Sequence, residues 1–181
     1  MRKLRAIVSL LVIATATAIV AGAFVRPAFA DFTDLPEGPI HIVNYGSGKC
    51  LAPAPDNRVW QRACDGSADQ EWLRLRSADG AISGFGNVQR HMLVNRSSGR
   101  CMDVKDGSTA NGAVIQMVPC NGNSNTMLWG VFDDYFGSHQ LVDARTGTCL
   151  DVQGGSLADN AYLQGYRCTV PNTAQHFYLG W

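Results

Sequence analysis

The chain has 181 residues, with 15 basic and 15 acidic side chains and a formal net charge of zero at neutral pH. Partners such as a phosphate backbone or an anionic lipid surface need a basic face, and a chain with no excess of basic charge argues against both.

The first thirty residues read as a leader rather than as fold. Arg2, Lys3 and Arg5 make a positive start, an apolar run extends from Ala6 to Val25, and Ala28-Phe29-Ala30 has the small-x-small pattern of a cleavage site. Residues 1–30 are therefore expected to be a signal peptide, with a secreted, extracellular chain beginning at Asp31 and no membrane insertion after cleavage. The apolar run is also long enough to span a bilayer, so a retained anchor is the rival reading. The absence of cysteine near the cleavage site argues against lipid modification there. Leaving out Arg2, Lys3, Arg5 and Arg26 leaves 11 of the 15 basic residues against 15 acidic ones, a net charge of about −4. The remaining segment, 31–181, suits one domain with an interior large enough for a core.

That segment is a threefold repeat, with copies at about 40–88, 89–136 and 137–181. Each copy opens on an extended apolar stretch, around Ile42, Leu93 and Leu141, that runs into an Asn/Asp–Ser/Thr–Gly turn. A cysteine then follows a glycine in G-K-C-L (Gly48–Leu51), G-R-C-M-D-V (Gly99–Val104) and G-T-C-L-D-V (Gly147–Val152). A second extended segment follows each of these cysteines. A third precedes a second cysteine, as in Ala113–Val118, and a fourth carries Trp72, Trp129 or Phe177. Copies two and three align without a gap from Leu93–Cys120 to Leu141–Cys168, at a constant offset of 48. Copy one joins at an offset of 51 and is about five residues shorter between its cysteines. Four strands in each of three copies predict twelve. No stretch shows a capped helical period. One copy alone cannot cover its apolar face, so the three are expected to pack around a common axis.

Six cysteines in an exported chain should be oxidised. Of the fifteen pairings that six cysteines allow, the repeat selects Cys50–Cys64, Cys101–Cys120 and Cys149–Cys168. Each closes a loop of about 15–20 residues and stabilises by roughly 3 kcal/mol in the chain-entropy view. Metal sites call for closely spaced Cys or His ligands. His41, His91, His139 and His176 are scattered, and neither metal nor cofactor is expected.

With its C-L-D-V openers, its 19-residue cysteine spacings and its Q-x-W closers, the segment from Ile40 to Trp181 resembles the ricin-type β-trefoil lectins. Gln70-Glu71-Trp72 is a full closer, Met127-Leu128-Trp129 has lost its Gln, and Gln175-His176-Phe177 has Phe for Trp. The resemblance implies an all-β fold, a β-trefoil with a six-stranded barrel capped by three hairpins and the closing aromatics in a shared core. It also implies sugar sites built from the opener's Asp, the Gln four residues before the second cysteine, the aromatic two before it, and a polar residue just ahead of Q-x-W. Such a set suits a sugar, because a carboxylate binds vicinal hydroxyls strongly and a flat ring covers the apolar C–H face.

Copy three retains most of it: Asp151, Gln164 and Tyr166 match, while Ala174 stands at the polar position and Asn172, two residues earlier, is a substitute. Copy two keeps Asp103 and Gln116 but has Val118 in place of the ring, with Asn125 and Thr126 at the polar end, and should be weak or dead. Copy one has Ala52 for the Asp and is expected not to bind. Asp103 and Asp151 have a plainer alternative as turn acceptors, and Tyr166 as an ordinary strand aromatic. Gln70 and Gln175 are read as structural, bonding backbone in their hairpins, and Trp72, Trp129 and Phe177 as core. Trp60 is expected one residue past the usual register of copy one, a candidate exposed contact, and Trp181 is uninformative.

Enzyme motifs are missing: no G-x-S-x-G, H-E-x-x-H or phosphate loop occurs, and Gly84-Phe85-Gly86 lacks a third glycine and a following helix. Asp133-Asp134 is read as a turn marker, since adjacent strand residues face opposite ways. Asn95-Arg96-Ser97 matches a glycosylation sequon in a turn. These readings lead to a non-catalytic carbohydrate-binding protein, with galactose-type terminal sugars or a xylan-like polysaccharide as the implied ligand class. The alternatives are a protein-interaction or toxin-delivery subunit with decayed sugar sites, which would have a protein partner, and a β-trefoil protease inhibitor.

Overall fold

The structure is a computed structural model that describes residues 38–82, 84–121, 124–133 and 137–180, all within one compact unit, Leu35–Trp181. The leader 1–30, the expected start at Asp31, Asp134 and Trp181 lie outside the described residues.

Copy one supplies β1 (Ile40–Asn44), β2 (Cys50–Pro53), β3 (Val59–Arg62) and β4 (Glu71–Arg76). A short hairpin follows, β5 (Gly80–Ile82) and β6 (Gly86–Val88). Copy two supplies β7 (Arg90–Asn95), β8 (Arg100–Val104), β9 (Ala113–Pro119) and β10 (Leu128–Asp133). Copy three supplies β11 (His139–Asp143), β12 (Cys149–Val152), β13 (Ala161–Tyr166) and β14 (Phe177–Gly180). The twelve expected strands form one sheet, and among the described residues β5–β6 is the addition. Gly84-Phe85-Gly86 belongs to this hairpin, with positive φ at both glycines, as tight reversals favour. Ile82 anchors the hairpin against Leu128, Val142 and Ala144.

First and fourth strands pair in a closed ring, β1–β4–β7–β10–β11–β14 and back to β1, all antiparallel. Closure removes the unpaired edges of a sheet. The other strands form hairpins β2–β3, β8–β9 and β12–β13, and β13 pairs with both β3 and β9, tying the hairpins together into a cap. All six cysteines are bonded in the pairs the repeat selects, one disulfide in each cap hairpin.

The core lies where barrel and cap meet. Trp72, Trp129 and Phe177 are each 0% exposed, as are Leu51, Met102, Leu150, Leu93 and Leu141. The indole N–H of Trp72 donates to the Leu51 carbonyl at 3.0 Å and that of Trp129 to Met102 at 3.3 Å. A buried indole needs such a partner; Phe177, at the equivalent point, has no polar atom to satisfy.

Neighbouring copies are clasped by a buried amide. Asn44 Nδ2 donates to the carbonyls of Thr173, Ala174 and His176 in copy three, and Asn95 Nδ2 to those of Asp69 and Glu71 in copy one. Their Oδ1 atoms accept the N–H of Ser47 and Ser98, each at 3.0 Å, which shapes the turns that end on Gly48 and Gly99. Gly48, Gly99 and Gly147 have φ of 66°, 65° and 68°, a conformation that a residue with a Cβ adopts only at a cost. Asn95 is fully buried with its amide engaged in this way, so the Asn95-Arg96-Ser97 sequon presents no accessible acceptor in the folded chain.

Trp129→Ala should destabilise the protein by about 3–5 kcal/mol in urea unfolding, through the lost ring and the cavity left behind. Trp129→Phe, which copies the third repeat, should cost clearly less.

Candidate functional site

The cap hairpins present the candidate residues. In copy three, β12 and β13 pair Leu150 with Gly165, Asp151 with Gln164, Val152 with Leu163 and Cys149 with Tyr166. Alternation along a strand then puts Leu150, Val152 and Leu163 on the core side and Asp151, Gln164 and Tyr166 together on the other. Asp151 is 5% exposed, Gln164 half-buried, and Tyr166 36% exposed at the rim.

Two amides hold the carboxylate. Gln164 Nε2 donates to Asp151 Oδ1 at 2.7 Å, and Gln175 Nε2 donates to Oδ2 at 3.1 Å. Burial pushes the Asp151 carboxyl above its ordinary range, while the side-chain amides of Gln164, Gln175 and Asn172 act in the opposite direction. Asn172 is therefore placed beside the carboxylate. It also caps the 3-10 turn Thr173–Gln175, its Oδ1 accepting from the Ala174 N–H at 3.1 Å and its Nδ2 donating to Thr169 Oγ1 at 3.0 Å. Gln164 and Gln175 each hold one carboxylate oxygen with Asn172 as a third amide beside them, and a carboxylate's four lone-pair sites leave room for a hydroxyl.

Gln175 makes the expected backbone bonds, donating to the Arg167 carbonyl at 3.0 Å and accepting from the Thr169 N–H at 2.9 Å. Gln70 does the same in copy one, with the Ala63 carbonyl and the Asp65 N–H. The link from Gln175 to Asp151 is additional, and a sequence motif that describes only one hairpin does not contain it.

In copy two, Asp103 pairs with Gln116 in the same register, and Gln116 Nε2 donates to Asp103 Oδ2 at 2.8 Å. Met127 stands where copy three has Gln175, so the second amide is missing. Val118 lies half-buried opposite Cys101 and packs on the Cys101–Met127 cluster. Asn125 is exposed on the 3-10 turn Asn125–Met127, and Thr126 is buried with its hydroxyl 2.6 Å from that of Ser124.

Copy one departs from expectation at Trp60. The residue is not one past the register but in it: β2 and β3 pair Ala52 with Trp60 as copy three pairs Asp151 with Gln164. It is half-buried rather than exposed and stacks on Tyr162 of β13, with ring centroids 6.3 Å apart. The Arg58 guanidinium covers the Tyr162 ring at 3.2 Å, and Asp56 Oδ2 accepts from both Arg58 Nε and the Tyr162 hydroxyl. The place of the carboxylate–amide pair is thus taken by an aromatic seam between copies one and three. Counting four residues back from Cys64, as for Gln116 and Gln164, would have placed it. Asp133 ends β10 with Oδ1 2.7 Å from His139 Nδ1. Among the described residues no group of three metal-ligating side chains comes together, and no helix is long and apolar enough to cross a membrane.

A closed six-stranded barrel with three disulfide-linked cap hairpins defines the class, a β-trefoil. The family model of the ricin-type beta-trefoil lectin domain-like proteins matches residues 31–118 and again 85–166, and the chain belongs to that family. No curated protein matches it. Among solved structures it is similar to ThreeFoil, a designed threefold-symmetric protein, with 26% identity, 79% of this chain and 98% of that one covered, and a TM-score of 0.70. It is similar to an exo-beta-1,3-galactanase from Clostridium thermocellum, with 25% identity, 80% and 30% covered, and a TM-score of 0.68. The chain thus spans less than a third of the galactanase. A ricin B-like lectin of Macrolepiota procera, solved with lactose, shares the fold at 15% identity, 80% and 95% covered, and a TM-score of 0.63.

Gln175→Leu would strip partners from Asp151 Oδ2, the Arg167 carbonyl and the Thr169 N–H together. Urea unfolding should show a loss of about 2–3 kcal/mol, the cost of leaving buried polar groups unpaired.

Proposed function

We propose that the protein is a secreted, non-catalytic lectin that binds carbohydrate through its third copy. The observation that carries this reading is the Asp151 carboxylate held by Gln164 and Gln175 beside the exposed ring of Tyr166. The carboxylate accepts a sugar hydroxyl, the Gln164 amide lies beside it to bond a vicinal one, and Tyr166 covers the apolar face of the sugar. Copy two offers a carboxylate with one amide and no ring, and copy one offers neither. Membership of a lectin-like family supports the ligand class. The likeness to a galactanase supports a galactose-type sugar or a polysaccharide of that kind. One shallow site implies a Kd of about 1 mM for a monosaccharide, with useful avidity coming from a multivalent surface. An exposed Trp60 would favour the delivery-subunit alternative. That ring is packed against Tyr162, so it is not an open docking contact.

A glycan array with multimerised protein, followed by titration calorimetry on the best ligand, tests the reading. Asp151→Asn should lose binding by at least about tenfold, while Asp103→Asn should stay near wild type, with both variants checked for unchanged melting. Equal losses would overturn the one-site reading. Absence of any binding by multimerised wild type would favour a protein partner instead.

A further inference from the structure

The inter-copy clasp is chemically uneven. Asn44, Asn95 and Asp143 are equivalent positions, the last residue of β1, β7 and β11. All three use Oδ1 in the same way: Thr146 N–H donates to Asp143 Oδ1 at 2.7 Å, as Ser47 and Ser98 do to the asparagines. All three are followed by the same bond to the preceding copy, from the N–H of Tyr45, Arg96 and Ala144 to the carbonyls of His176, Glu71 and Leu128. In copies one and two the second side-chain atom is an amide nitrogen donating to that carbonyl and to the one two residues before it, Ala174 or Asp69. The matching carbonyls for copy three are Leu128 and Thr126. There the second atom is Asp143 Oδ2, which is buried without a partner in a residue that is 0% exposed. By that equivalence Oδ2 takes the place of an amide nitrogen aimed at carbonyl oxygens, where an ionised oxygen is repelled. The same oxygen carrying a proton is a donor of the right kind in the right place.

We propose that at mildly acidic pH Asp143 is a neutral carboxylic acid in the folded protein, its Oδ2–H donating to the backbone of the Asn125–Met127 turn, so that the clasp between copies two and three closes only while the proton is held. The other two clasps, built on amides, are insensitive to pH. The acid clasp holds the turn that carries Asn125 and Thr126 and packs against β8, the strand of Asp103. Proton loss therefore loosens the copy-two face and leaves the copy-three site to its own amides.

The charged surroundings favour the proton. Asp103 on β8 acts on Asp143 with like charge. Arg145 contributes its backbone N–H at 3.2 Å, while its guanidinium lies against Gly107. The Asn125–Met127 turn carries no titratable side chain. On β10, Trp129 is the pairing partner, and Asp133 at the far end meets His139 of β11. Asp151 of β12 is engaged by Gln164 and Gln175, His176 beside β14 meets Ser138, and Tyr178 on β14 is exposed. Burial is the largest influence and pushes the Asp143 carboxyl up to about 6, against the bonds from Thr146 and Arg145.

The sign follows from the raised value. Between the unfolded value of 3.8 and about 6 the native state holds a proton that the unfolded chain has released, so stability falls as pH rises through this window and levels above it. Urea unfolding of wild type should show the folding equilibrium constant dropping on the order of 100-fold through this group between about pH 4 and about pH 7. Asp143→Asn, which restores an amide, should lack that component and be the more stable protein at about pH 7.5. The reverse change, Asn44→Asp, should introduce a second loss of the same sign. Equal pH slopes for wild type and Asp143→Asn would overturn the proposal. Should Asp143→Asn fail to fold, carbon-13 NMR of the wild-type carboxyls decides. A midpoint near pH 6 for Asp143 is expected, and one below about 4.5, the ordinary carboxylate range, overturns it.

Discussion

A copy of roughly fifty residues has one apolar face and no means of covering it, and the molecule depends on how three such faces meet. Trp72, Trp129 and Phe177 fill the meeting point, and the two indoles spend their N–H groups on carbonyls next to the first cysteine of their own copy. That bond ties the fourth strand of a copy to its cap hairpin. Hairpin and barrel are thereby held at one spacing, and the disulfide holds the hairpin's open end. The closed ring of strands leaves no barrel edge free, so the stability of each copy depends on its neighbours.

Once the core is fixed, the outward side of each hairpin can vary, and here it has varied in three ways. Copy three retains carboxylate, two amides and ring. Copy two keeps carboxylate and one amide, but Val118 and Met127 turn the remainder into packing. Copy one has given the position to Trp60, whose stack with Tyr162 and the Arg58–Asp56 pair joins copies one and three. Each alternative is compatible with the same backbone register, because the core residues on the opposite face are unaffected.

The same freedom extends to the clasps. Position 143 carries an acid where its equivalents carry amides, and isosteric shape lets the fold accept it while the chemistry of the contact changes from permanent to proton-dependent. The clasp and the outward face of copy two share the Asn125–Met127 turn, so chemistry in one bears on the other.

The sequence by itself determined the threefold repeat and the disulfide pairing, and its resemblance to the ricin-type lectins, carried by motifs at fixed spacing, implied the burial of the closing aromatics and the placing of Gln116 beside Asp103 and Gln164 beside Asp151. These are legible because they recur at fixed spacing within single hairpins. What it did not show was contact between segments that share no spacing. The reach of Gln175 to Asp151, the seam of Trp60 and Tyr162, the β5–β6 hairpin under Ile82 and the orphaned oxygen of Asp143 all depend on which surfaces the threefold closure presses together. Hairpins are written locally in strand alternation and turn residues, whereas the partner of a side chain across a copy boundary is decided only when the barrel closes and water is expelled between copies.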